Sequence, residues 1–495
     1  MLAVNGQYPG PPIIADWGDT IEITVNNELQ NNGTSAHWHG IRQFHSNDMD
    51  GVNGLTECPL APGASKTYTF QATEYGTSWY HSHFSLQYGD GVVGPIITNG
   101  PAAANYDDDL GTILVTDFYP VGASVLELAE EVVGPPNATN YLLNGQNMQP
   151  DGSAGTRPIW TFKTGMKYLL RFVNTSIDNH FKLQLDGHTM TVITTDFVPI
   201  VPYETQTLNI GIGQRYDVIV EADQPVAAYF LRAINQVECG VNYNDGLGTA
   251  NGIIIYEGAE NTEPTTTYVP YTDRCEDEPI ESTVPIVTKT VDSTTFAAQA
   301  SNLPVNLSKV DIGGDTLYRW FLNDNSMVIN WSDPMLAQVA SGASSFNVPE
   351  SVIQLPEAGV WTFWIIQALL GVPHPMHLHG HDFYLLGSGF NQTFDVSMMD
   401  QLNFDNPPRR DVTVLEASGW TVIAFPTDNP GAWLMHCHIA YHVADGLSLQ
   451  FLEMASEIPS VYGDKNAYFQ DTCDKWNDYF FGPPLPVYNE TNSGL

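Results

Sequence analysis

The chain has 495 residues, 56 acidic against 17 basic, and a formal net charge of −39. So acidic a surface excludes recognition of nucleic-acid phosphates and docking on an anionic membrane, both of which need Lys and Arg. Charged residues make up only 15% and hydrophobic ones 43%, which excludes a disordered acidic chain and leaves room for about three folded domains.

In chain order, residues 1–25 carry Asp16, Asp19 and Glu22 and lack the apolar run of a secretory leader. If the protein is secreted, its leader is expected to have been removed or never to have been part of this sequence. Ile21, Ile23 and Val25 alternate with polar residues, the period of a strand with one buried face. Similar short runs recur at 67–70, 112–118, 167–173, 181–185, 189–193, 215–220, 421–425 and 448–452, punctuated by Gly, Pro, Asn and Asp. Residues 123–132 are the best helical candidate. Junctions are expected at 99–109 and across the Thr-, Pro- and Glu-rich stretch 258–294. The apolar stretch 361–373 is too short to span a membrane and is interrupted by Thr362 and Gln367. After Ile458 the tail is irregular and aromatic. The pattern predicts an all-β chain of β-sandwiches. Its segments are 1–103, 104–260, a linker 261–300, 301–458 and a tail 459–495.

Five cysteines, Cys58, Cys239, Cys275, Cys437 and Cys473, leave at least one without a partner. Cys437, flanked by histidines, is the expected free thiol. The other four allow three pairings. Two bridges suit an oxidising compartment, and seven Asn-x-Ser/Thr sequons agree, at Asn32, Asn137, Asn174, Asn306, Asn330, Asn391 and Asn489. Glycosylation at several of them is expected.

The fourteen histidines carry the chemistry. Chance placement gives about 0.4 His-x-His pairs by simple template counting. The sequence has five, at 37/39, 81/83, 377/379, 379/381 and 436/438. On a strand, residues i and i+2 share a face, so each pair offers two imidazoles to one site. Four pairs from the two ends of the chain supply eight imidazoles, more than one ion takes, so several metal ions are implied. In His436-Cys437-His438 the thiol points opposite to its neighbours, toward a site that His442 and His374 can reach. A thiolate with two histidines is the blue-copper set. One covalent segment then joins a one-electron site to a multi-metal cluster.

These motifs are His37-Trp38-His39-Gly40, Trp79-Tyr80-His81-Ser82-His83, His374-Pro375-Met376-His377-Leu378-His379-Gly380, and His436 to His442. Through them the chain resembles the multicopper oxidases, most closely the laccases of ascomycete fungi. The similarity runs over nearly the whole chain, including Gly213-Gln214-Arg215-Tyr216-Asp217 and the run from Asn406 to Asp411. The resemblance implies three consecutive cupredoxin-like Greek-key domains and four copper ions. By motif position, His374, Cys437 and His442 bind the type 1 copper, and His37 and His377 the type 2. One type 3 copper takes His39, His81 and His438; the other takes His83, His379 and His436. His45, His180, His188 and His381 are left as structural residues, with His381 beside the cluster.

The resemblance also implies tuning residues. Leu447 stands at the axial position of the type 1 copper, where leucine cannot ligate and a higher potential follows. Asp196 matches an acid lining the substrate pocket, where it would accept a phenolic proton. Asp50 matches an acid near the trinuclear cluster, where it would relay protons. The bridges should be Cys58–Cys473 and Cys239–Cys275. The end Asn492-Ser493-Gly494-Leu495 matches a tail that plugs the cluster channel, with Asn where the family often has Asp. Tyr441 stands where Trp is common and alters the pocket wall. Residues that usually precede Val4 are missing, so the first domain is expected to lack an edge strand.

The function so implied is a secreted, monomeric laccase. It takes single electrons from phenolic and aromatic substrates at the type 1 copper and reduces dioxygen to water at the trinuclear cluster. Other multicopper oxidases, above all a ferroxidase, and a non-catalytic copper-binding cell-wall protein are the competing readings. Leu447 weighs against ascorbate and bilirubin oxidases, which usually carry Met there.

Overall fold

The computed structural model describes residues 1–239, 249–260, 262–463 and 466–482. Strands dominate it, in three successive sandwiches. In the first, Ile13–Asp16, Val93–Asn99, Gly76–His81 and His37–Trp38 form one sheet, and Thr20–Asn26 pairs with Ser65–Gln71 in a two-stranded ribbon. The ribbon strand Ser65–Gln71 alternates strictly between exposed and buried. Tyr68 and Phe70 enter the core with Trp38 and Tyr80. The outer edge of Thr20–Asn26 has no partner strand among the described residues. A cavity of about 530 Å³ lies beside it, lined by Val4, Ile23 and Trp38.

The second sandwich packs a six-stranded sheet on a five-stranded one. Lys167–Asn174 and Arg215–Glu221 pair antiparallel at the centre of the larger sheet. Their nearly continuous burial explains why they read as apolar runs rather than alternating ones. In the third, the smaller sheet runs Val352–Leu355, Ser448–Glu453, Gly431–Cys437, His374–Leu378, Val412–Leu415. Every residue of its three middle strands is buried. Metal-ligand candidates thus sit on the best-packed element of the molecule, where rotamers are locked by neighbours.

The helix expected at 123–132 spans Ala123–Val133. The tail corrects the expectation of irregular structure: Asn466–Phe480 is a helix of 15 residues. Trp476 seats it against Phe84 and Trp331, and Cys473 bonds it to Cys58. The second bridge joins Cys239 to Cys275, and Cys437 is the free cysteine among the described residues. Of the sequons, Asn137, Asn306, Asn330 and Asn391 are exposed and Asn32 is half-buried. Asn174 is excluded from glycosylation: it is fully buried, and its amide donates to the carbonyls of Asn179 and Ile210. Asn489 and the plug-like end Asn492 to Leu495 lie outside the described residues. No helix among the described residues is long and apolar enough to cross a membrane.

Candidate metal centre

Strand register assembles the centre. His37 lies opposite His81 across one antiparallel pair, and His377 opposite His436 across another. Cys437 lies opposite Met376, one residue on, and so faces the other side of its sheet. There its Sγ stands 3.6 Å from His374 Nδ1 and 3.6 Å from His442 Nδ1, and the two nitrogens are 3.2 Å apart. All three side chains are buried. Burial pushes the His374 imidazole down to about 3 and the Cys437 thiol well up, so protein alone holds this trio neutral. The Trp320 ring lies 4.2 Å from that of His442 and 4.9 Å, edge-on, from that of His374. Leu447 is buried in the same cluster as Cys437. Its carbonyl accepts from Cys437 N–H at 3.1 Å and its N–H donates to the His442 carbonyl at 2.9 Å, so it is held against both.

The other eight histidines form a second group on the far face. Donor atoms of His39, His81 and His438 lie within 4.8 Å of one another, as do those of His83, His379 and His436 and those of His37, His39 and His377. His379 Nδ1 donates to Asp50 Oδ2 at 2.9 Å, and His436 Nδ1 donates to the Cys437 carbonyl at 2.9 Å. Their Nε2 atoms therefore present lone pairs to each other, 3.3 Å apart. Such a pair repels unless a cation lies close to both. His37 Nε2, His39 Nδ1, His81 Nε2, His83 Nδ1, His377 Nε2 and both nitrogens of His438 are likewise buried without a hydrogen-bond partner. Native interiors rarely orphan polar atoms in this number. Desolvation, then the neighbouring imidazoles, holds His39, His81, His83, His377, His379 and His438 well below the usual histidine range. Neutral, convergent, unpartnered imidazoles fit metal binding, and a set of N donors with one thiolate fits copper.

Two carboxylates orient the rings. Asp50 takes His37 Nδ1 on its carbonyl at 2.9 Å and His379 on its side chain. Asp411 takes His377 Nδ1 on its carbonyl at 2.8 Å and His39 Nε2 on Oδ1 at 3.1 Å. Asp411 was not singled out in the sequence. Its partner Arg215 was not either: fully buried, it meets both Asp411 oxygens, at 2.5 and 2.7 Å. Both lie in stretches that carried the resemblance. Gly40 makes room for this contact and Gly213 for the imidazoles of His438 and His39. A Cβ at Gly40 would stand 2.4 Å from Arg215 Nη2, and one at Gly213 would stand 3.0 Å from His438 Cδ2. Both have φ near +80°. Also missed was Lys66, an inward-facing position of an alternating strand, which ion-pairs with buried Glu57.

Asp196 is corrected. It lies on no open pocket wall; it is fully buried, at a turn with φ 52°. Its oxygens accept from the backbone N–H groups of Arg215, Asp411 and Val412 and from Arg410. Arg410 and Arg215 hold its carboxyl below the usual range against its burial. A carboxylate so saturated is an anchor, with no lone pair turned to a substrate. Tyr441 is also fully buried, packed with Trp79, Tyr88 and Ile177 rather than on an exposed wall. Of the spare histidines, His45 stacks on Phe44, His188 bridges the Asp186 carbonyl and Tyr256 hydroxyl, and His381 meets Glu453 at 2.9 Å. His180 differs, being buried with an unpartnered Nε2.

Comparison with known proteins agrees with this geometry. Family models described as multicopper oxidase match residues 1–103, 109–259 and 323–457. Laccase-3 of Botryotinia fuckeliana is 49% identical over 90% of this chain and 100% of its own. A laccase of Neurospora crassa is 43% identical over 100% of this chain and 81% of its own. The crystal structure of the laccase from Botrytis aclada superposes with a TM-score of 0.92 at 42% identity, covering 100% of this chain and 90% of that one. The expected cupredoxin-like sandwiches are thus shared with a solved laccase. On these grounds the chain belongs to the multicopper oxidase family.

Proposed function

We propose that the protein is a laccase, taking single electrons from phenolic or aromatic donors and reducing dioxygen to water. His374, Cys437 and His442 would hold the type 1 copper, with Leu447 packed beside them as a residue that cannot ligate. His37 and His377 would hold the type 2 copper. His39, His81 and His438, and His83, His379 and His436, would hold the type 3 pair, four ions in all. Copper bound there supplies one-electron chemistry at the trio and four-electron oxygen chemistry at the cluster.

The chain's own residues supply the rest. Burial of the trio excludes water and keeps its ligands neutral until a cation enters. Cys437 faces the trio while His436 and His438 face the cluster, so three consecutive residues join both sites. That juxtaposition is the observation that carries the reading. Asp50, fully buried, with Oδ2 on His379 Nδ1 and Oδ1 3.2 Å from His37 Nδ1, is the carboxylate that would relay protons to the cluster. Oxygen reduction consumes four protons, so Asp50→Asn should slow oxygen turnover and alter its pH dependence. An unchanged pH profile would remove the relay.

Secretion, sugar on the exposed sequons and a monomeric state complete the proposal, supported by the two disulfides and the exposed Asn137, Asn306, Asn330 and Asn391. The decisive experiment measures oxygen uptake by copper-loaded protein with a methoxyphenol, ferrous iron and ascorbate side by side. Strongest uptake with the phenol, without peroxide, is expected. A preference for iron would overturn the laccase reading in favour of a ferroxidase.

A further inference from the structure

The helix Ala123–Val133 is turned inside out. Val125, Leu128, Val132 and Val133 are each half exposed or more, while Glu127, Glu130 and Glu131 are buried. An amphipathic helix in a globular protein does the reverse. The buried glutamates meet the third sandwich. Glu131 Oε1 accepts from Arg319 Nη2 at 2.7 Å, and Asp445 Oδ1 accepts from Arg319 Nη1 at 3.2 Å. Glu130 and Asp445 face each other side chain to side chain. Glu130 Oε2 and Asp445 Oδ2 receive no hydrogen bond from any other group among the described residues. Three carboxyl groups thus share one guanidinium in a dry interface, with Glu127 buried on the same helix face. Burial above all holds the Glu130 and Asp445 carboxyls above the usual range, with Glu131 pushing on Glu130 and Glu130 on Asp445, against the pull of Arg319.

The surrounding titratable groups do not share this behaviour. Asp90 accepts from Ala123 N–H at 2.7 Å at the start of the helix, and it caps that end better as it ionises, the opposite sign. The phenols of Tyr8, Tyr88, Tyr119 and Tyr441 are pushed up by burial and stay protonated. On the underside, Ala123 and Leu126 pack with Ala440, Tyr441 and Ala444, so the helix covers the segment Ala440–Ala444 that carries His442. Gly122 and Gly134 bracket the helix, the latter at φ +98°, so a freely turning residue stands at each end.

We propose that Ala123–Val133 is a pH-operated cover over the His442 segment, docked while Glu130 and Asp445 hold one proton between them and lifted when that proton leaves. Lifting carries the glutamates into water and parts the like charges. Few apolar contacts oppose it, because the apolar face of the helix already points outward. A carboxyl raised in the docked state contributes fully at low pH, and its contribution is lost as pH rises past the ordinary carboxylate range. Acid therefore closes the cover and alkali opens it. With one proton released on opening, the ratio of lifted to docked helix rises about tenfold per pH unit. The cover governs access to the His442 segment and stands whatever donor the centre takes.

The test is hydrogen–deuterium exchange of the copper-loaded full chain at pH 5, 6, 7 and 8. Exchange in peptides spanning 123–133 is divided by that of an unstructured peptide at the same pH. Protection of this helix should fall about tenfold per pH unit, while that of Lys167–Asn174, at the centre of the second sandwich, stays constant. Glu130→Gln keeps the shape and supplies an N–H to Asp445, so it should flatten the slope. Asp445→Asn removes the same proton requirement from the other side and should flatten it too, which keeps the test open if either variant fails to fold. Constant protection of 123–133 across the series, or an unchanged slope in a folded variant, would overturn the proposal. So would an equal slope in Lys167–Asn174, which would mark loosening of the whole domain.

Discussion

Asp50 and Asp411 exchange histidines across the interface between the first and third sandwiches. Asp50, in the first, holds its own His37 by a main-chain carbonyl and the third domain's His379 by its carboxylate. Asp411, in the third, holds its own His377 by a carbonyl and the first domain's His39 by its carboxylate. Each acid thus fixes the tautomer of one ligand from each end of the chain. Outer partners of this kind typically govern metal affinity about 10–100-fold. Asp411→Asn should therefore lower copper occupancy at the cluster while the Cys437 site stays filled. Metal analysis together with the thiolate–copper absorbance checks this; full occupancy would refute it.

Leu447→Met should lower the type 1 potential. Leu447 is packed with Cys437 and bracketed by hydrogen bonds to Cys437 and His442. A thioether placed there would offer a bound copper a further weak ligand, which stabilises the oxidised ion. A fall of about 60 mV, a tenfold shift in a one-electron equilibrium, is expected in a redox titration. An unchanged potential would show that this side chain does not face the metal.

Asp196→Asn should impair phenolic and non-phenolic donors alike. The carboxylate neutralises Arg410 and helps neutralise Arg215, so its loss leaves buried positive charge under-compensated. A loss of about 3 kcal/mol in unfolding free energy is expected. A selective loss on phenols, with stability intact, would restore the pocket role.

Lys66→Met should destabilise the first domain by about 3–5 kcal/mol, because it leaves Glu57 buried without its cation. Lys66 Nζ also donates to the Asp48 carbonyl at 2.8 Å, and Tyr68 donates to Glu57 at 2.9 Å. The pair therefore braces the loop that carries Asp50. Adding Glu57→Gln to Lys66→Met should recover part of the loss. A double-mutant cycle by denaturant unfolding measures the coupling; additive losses would disprove it.

Glu74→Gln should stabilise the protein in alkali and change little in acid. Burial raises the Glu74 carboxyl to about 7 against the opposing pull of Thr73 and Arg42. Because the folded value exceeds the unfolded one, its contribution is full below about pH 4.5 and is lost as pH rises through about 7. Glutamine mimics the protonated acid at every pH. Unfolding at pH 4.5 and pH 8 should show a gain of about 1 kcal/mol at the higher pH only. A gain at both would assign the effect elsewhere.

Much of the centre was legible because strand geometry is periodic. His-x-His puts two rings on one face, and Cys437 between His436 and His438 must point to the other; the register of His374–Leu378 against Gly431–Cys437 realises both. What periodicity does not carry is partnership at a distance. Arg215 and Asp411 are 196 positions apart, and neither residue type advertises the other. Asp196 shows the converse failure. An Asp before an apolar strand reads the same whether it faces a pocket or caps a left-handed turn, and only the two arginines packed against it decide. Lys66 stands just before the run 67–70 read as a strand, and nothing in the sequence names the acid that waits for it. The tail helix escaped because its aromatic residues serve packing against another domain and a disulfide, not a regular amphipathic face.

The placement of the ligands at both ends of the chain sets an order on biosynthesis. Half of the cluster histidines lie before residue 84 and the other half after residue 376. During synthesis the first sandwich emerges early and folds while more than 350 residues are still to be made. Its four imidazoles then face a void that only the last domain can complete. Cys58 likewise waits for a partner 415 residues downstream. Metal offered to the growing chain finds half-sites of two or four nitrogens, weak and unselective. The full cluster exists only once the third sandwich has folded against the first, so complete copper loading follows the folding of the last domain rather than that of the first.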